Sequence, residues 1–83
     1  MAEAMRRELG HYVVADPKIC HGQPTFSGTR ILVKDVLAMV ADGMAWAEIV
    51  RQWDGRVPTE AIAEAVRLAS EALAERQPAA SPA

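Results

Sequence analysis

Apolar residues recur at two different periods along this chain, and the change of period divides it. Tyr12, Val13 and Val14 are adjacent β-formers. Asp16-Pro17 stops them, because proline has no amide to donate to a ladder and aspartate favours turns. Between Lys18 and Gly28 the chain carries Gly22, Pro24 and Gly28 among polar neighbours, which is the chemistry of a structured connection. Thr29, Arg30, Ile31 and Leu32 then read as a return strand, so the front of the domain is expected to be a short N-terminal β-hairpin.

From Val33 the period becomes helical: Val33, Val36, Leu37, Val40 and Ala41 share one face. Asp42-Gly43 ends that helix, with Gly43 suited to the left-handed position that follows a C-terminus. Trp46, Ile49, Val50 and Trp53 repeat the spacing in a second, brief helix closed by Asp54-Gly55. Pro58-Thr59-Glu60 opens a third and longer one. Its apolar line is Ile62, Val66, Ala69 and Leu73, and its polar side carries Glu60, Glu64, Arg67, Glu71 and Glu75. Three amphipathic helices with short glycine-containing links predict a mainly α domain with the outline of a helix-turn-helix. An unspecialised three-helix bundle would bury the same stripes.

Length narrows the organisation, since 83 residues hold one domain. Residues 11–76 are expected to form it, with 1–10 a flexible N-terminus and 77–83, which contains Pro78 and Pro82 and no apolar period, a disordered tail. A core this small usually needs a disulfide, a metal or a second subunit. The single cysteine excludes an internal disulfide, which points to a homodimer, with the edges of the hairpin strands as the expected contact. No apolar run has the length of a signal peptide core or a membrane span, so the protein is expected in the cytoplasm, away from membranes. Nine Lys and Arg against eleven Asp and Glu give a net charge of −2, which is not the footprint of a strong nucleic-acid binder.

Few residues carry chemistry. Cys20-His21 has the types that ligate zinc, but a structural site wants four ligands and only His11 could join them. No nucleophilic triad, phosphate-cradling loop or paired acidic motif is present, so the expectation is no enzyme, no catalytic residue, no metal and no cofactor. Gly22, Pro24, Gly28 and Thr29 read as a structural turn, with Thr29 satisfying a local amide. Arg30 follows them, placed to offer its forked guanidinium to a carboxylate or phosphate, and Lys34 adds a second cation. In a helix-turn-helix the third helix would read DNA with Thr59, Glu60, Ala61, Ala63, Glu64 and Arg67 outward. Arg67 suits guanine, whereas the two glutamates would repel phosphates. Phe26 and Trp46 are the apolar contacts on offer to a partner protein.

The run from Asp16-Pro17 through Gly22 and Pro24 to Gly28-Thr29-Arg30-Ile31-Leu32-Val33, with Asp42-Gly43-Met44 and Glu48-Ile49 after it, resembles family 433 of the domains of unknown function. The resemblance runs from Tyr12 to about Leu73. It implies a homeodomain-like helical fold behind an N-terminal β element, and an antitoxin role against a PIN-like nuclease encoded beside it. A DNA-binding regulator of the helix-turn-helix type is the alternative, and operator DNA is a partner of either. Ala45 stands where the family tends to have Ser or Thr, which predicts an uncapped second helix.

Overall fold

A computed structural model describes residues 5–76. Three helices pack beside a small three-stranded antiparallel sheet of order β1-β2-β3. The strands are β1 (Arg7–Glu8), β2 (Val13–Ala15) and β3 (Pro24–Phe26), and the helices are α1 (Val33–Ala41), α2 (Trp46–Gln52) and α3 (Thr59–Arg76). The expected tail at 77–83 lies outside the described residues.

The sheet departs from the expected hairpin in its return strand and in its number of strands. Val13 pairs with Phe26, Val14 with Thr25 and Ala15 with Pro24, so the chain returns at Pro24–Phe26 and not at residues 29–32. Pro24 is thus the first residue of a strand, where its missing amide costs no ladder bond, and not part of a turn. The segment read as the return strand makes only an isolated bridge, Leu32 to Thr25. On the other side of β2, Arg7 pairs with Ala15 and Glu8 with Val14, which puts a strand inside the stretch 1–10. β2 is therefore central and paired on both sides, so its edges are closed to the dimer contact expected of the hairpin.

Between β2 and β3 the chain passes through an unusual turn. Asp16 accepts the amide of Lys18 on its side chain at 2.9 Å and that of Ile19 on its carbonyl at 2.8 Å. Cys20, His21 and Gly22 then follow one another in the left-handed region, at φ 50°, 58° and 84°. For the two residues with a Cβ this costs about 1–2 kcal/mol each. Bonds from Gly22 to Ile19 and from Gln23 to Cys20 hold the turn closed.

The core forms where α1, α2 and α3 meet the sheet, around Val13, Phe26, Val36, Ile49, Val57 and Ile62. α1 and α2 turn inward the faces their spacing predicts, except that Ala41 at the end of α1 is exposed, and Gly43 takes φ 84° after α1. α3 is rotated from the expected line. Its buried residues are Ala61, Ile62, Glu64 and Ala65, while Ala69 and Leu73 are exposed. Alanines at 61 and 65 let the helix approach the sheet closely, and a periodicity count weighted to large apolar residues underrates them.

Ala45 is the residue before α2, in extended conformation, and no side chain caps the helix. Its carbonyl accepts from Glu48 and Ile49, while the free amides of the first turn are left to solvent. A serine here completes a capping box with Glu48. Ala45→Ser is expected to stabilise the fold by about 0.5–2 kcal/mol, read as a higher urea midpoint at unchanged slope. A lowered midpoint would show that the helix starts elsewhere.

Candidate functional site

Arg30 is held from both sides. The carbonyl of Phe26 accepts the amide of Thr29 at 2.9 Å and its hydroxyl at 2.8 Å. That hydroxyl oxygen accepts in turn from the amide of Ile31 at 2.9 Å, and the amide of Phe26 donates to the carbonyl of Ile31 at 3.1 Å. Thr29 thereby does the local work expected of it, and Gly28, at φ 79°, carries the bend. The thiol of Cys20 reaches the carbonyl of Arg30 at 3.6 Å, tying the left-handed turn to this one. A half-buried sulfur with a backbone partner fits a structural cysteine. Arg30 thus has its neighbours fixed and its side chain exposed, and among the described residues it enters no ion pair. Lys34, exposed in the first turn of α1, likewise has none among them.

Lys34 also borders a groove of about 540 Å³ between the sheet, α1 and α3. Leu9, Val13, Val33, Leu37, Leu68 and Ala72 give it an apolar floor. Arg7 and Lys34 carry positive charge on the sheet and α1 side, and Glu71 and Glu75 negative charge on α3.

The other candidates fall in different places. Phe26 is 2% exposed and belongs to the core, so it is not an apolar contact for a partner. Trp46 is half-buried against the core at the start of α2, leaving part of its ring at the surface. Thr59 and Arg67 are exposed on α3, far along the chain from the Arg30 turn. Gly22 belongs to the left-handed turn described above.

Two of the outward residues expected on α3 are buried: Ala61, and Glu64 at 6% exposure. Glu64 is the buried charged side chain that pattern reading misses. Its carboxylate accepts the backbone amide of His11 at 2.7 Å and that of Tyr12 at 2.5 Å, and Arg67 approaches the same group at 3.7 Å. A carboxylate from α3 thus closes the turn between β1 and β2. Gly10 makes room for it, because a Cβ at that position would lie 2.6 Å from Cδ of Glu64. The one available sequence signal was that glycine, set in a turn where nothing else demanded one.

Among the described residues no three or more His, Cys, Asp or Glu side chains are grouped to hold a metal, and no helix is long and apolar enough to cross a membrane. A family model described as "Protein of unknown function (DUF433)" matches residues 13–69. No curated protein and no solved structure matches the chain.

Proposed function

The chain belongs to the DUF433 family, and from that membership and the Arg30 turn we propose that it is an antitoxin-like binding protein of the cytoplasm that neutralises a PIN-like nuclease. Arg30 is the observation that carries the reading. The backbone that carries this guanidinium is pinned at Thr29 and Ile31, so the ordering cost on binding is confined to the side chain, and a guanidinium pairs with a carboxylate in a fixed two-bond geometry. A nuclease that holds Mg²⁺ with acidic side chains offers such carboxylates, and a cation placed among them competes with the metal. Lys34 adds a second positive charge, and the exposed part of Trp46 adds apolar surface.

The test is co-expression with the product of the neighbouring reading frame, followed by pull-down and titration. Arg30→Ala is expected to weaken the complex by about 2 kcal/mol, some thirtyfold. Thermal melting should leave its fold intact, because Arg30 is exposed. Failure of the unaltered chain to bind removes the antitoxin reading, and full affinity in Arg30→Ala moves the contact elsewhere.

A second reading, operator binding through a homeodomain-like helix-turn-helix with α3 as the recognition helix, gains from the burial of Glu64. One of the two acids that would repel phosphates there is turned inward, leaving Glu60 beside Thr59 and Arg67 on the outer face. With a net charge of −2, the backbone part of such binding is weak and falls steeply with salt.

A further inference from the structure

Among the described residues nothing buries the far end of α3. Every residue from Ala69 to Arg76 is exposed, Leu73 at 69%. At 1.5 Å per residue this overhang runs about 12 Å past the core. The stretch continues an already packed helix, and its apolar side, where Ala69, Ala72 and Leu73 lie, is surface that a partner can cover. Ala69 and Ala72 line the groove, and Leu73 lies next to them outside its lining.

The charges at the groove's rim decide what fits. Arg7 and Lys34 stand on one wall and Glu71 and Glu75 on the other, so the surface carries both halves of an electrostatic match. We infer that this groove is closed by α3 of a second copy, the two helices running antiparallel across a two-fold axis. Glu71 and Glu75 of each copy then meet Arg7 and Lys34 of the other, as a self-complementary interface requires. A helix of one charge sign would satisfy one wall and oppose the other. Alanines at 69 and 72 let the helix axes approach to about 8 Å, and Leu73 fills the space beside them. The groove shares Lys34 with the surface proposed for the nuclease but does not include Arg30, and sedimentation of this protein alone reads the dimer without the nuclease.

Sedimentation velocity on the full chain over a micromolar concentration series tests it. The expected result is a dimer that Glu71→Lys with Glu75→Lys converts to monomer, and that adding Arg7→Glu and Lys34→Glu restores. Leu73→Ser, a mild change at an exposed position, should raise the dimer dissociation constant at least tenfold even if the charge variants fold poorly. A monomeric unaltered chain overturns the inference. So does a dimer indifferent to both Leu73→Ser and the reversed acids, and so does a folded four-charge variant that stays monomeric.

Discussion

Phe26→Ala is expected to cost about 3–5 kcal/mol, the range for deleting a fully buried aromatic ring from a core that only partly collapses around the void. Phe26 is 2% exposed, faces Val13 across the sheet and sits in the cluster that joins the sheet to the helices. For a domain of this size that loss is a large part of the total stability, and it lowers the melting temperature by about 15 °C or more. Calorimetry of the unaltered chain beside Phe26→Ala and Phe26→Leu checks this, with leucine recovering part of the deficit. A variant that melts within a few degrees of the unaltered chain would put the ring at the surface, as the bare sequence suggests.

Glu64→Ala is expected to destabilise by about 3 kcal/mol. Each amide bound to a charged acceptor contributes about 1.5–3 kcal/mol, and solvent returns part of that to the exposed His11. The exposed Arg67 adds little, since screened pairs contribute about 0–1 kcal/mol. Glutamine has one acceptor oxygen where the carboxylate has two, so Glu64→Gln can serve one of the two amides and should lose about half as much. Amide hydrogen exchange localises the effect: His11 and Tyr12 should be slow in the unaltered chain and fast in Glu64→Ala, with β1 loosening alongside. Free exchange of both amides in the unaltered chain would show that the carboxylate does not hold the turn.

The helices were legible because each writes its own signal. Val33, Val36, Leu37 and Val40 repeat at helical spacing, Gly43 marks a stop, and Ala45 announces a missing cap by its chemistry alone. Thr29 was legible for the same local reason, its partners lying two and three residues away. The sheet was not, since a strand depends on what it pairs with. Pro24-Thr25-Phe26 looks like turn material until Val13 and Val14 stand opposite it, and Arg7-Glu8 has no strand signal at all. Glu64 is the extreme case. On its helix it is one more polar residue, and only two amides 52 and 53 positions away turn it inward. The Arg30 turn was therefore half visible: the glycine-threonine frame could be read, whereas Phe26, assigned to the surface, is the buried residue whose backbone holds that frame.

The most direct measurement of the central proposal is the Mg²⁺-dependent nucleic-acid cleavage by its proposed partner, a PIN-like nuclease encoded in the neighbouring reading frame, titrated with this protein. Cleavage is predicted to fall in proportion to added protein and to stop near equal amounts, and to survive an equal amount of Arg30→Ala at concentrations where the weakened complex dissociates. Undiminished cleavage in the presence of excess unaltered protein, under conditions where both chains are folded, would contradict the account.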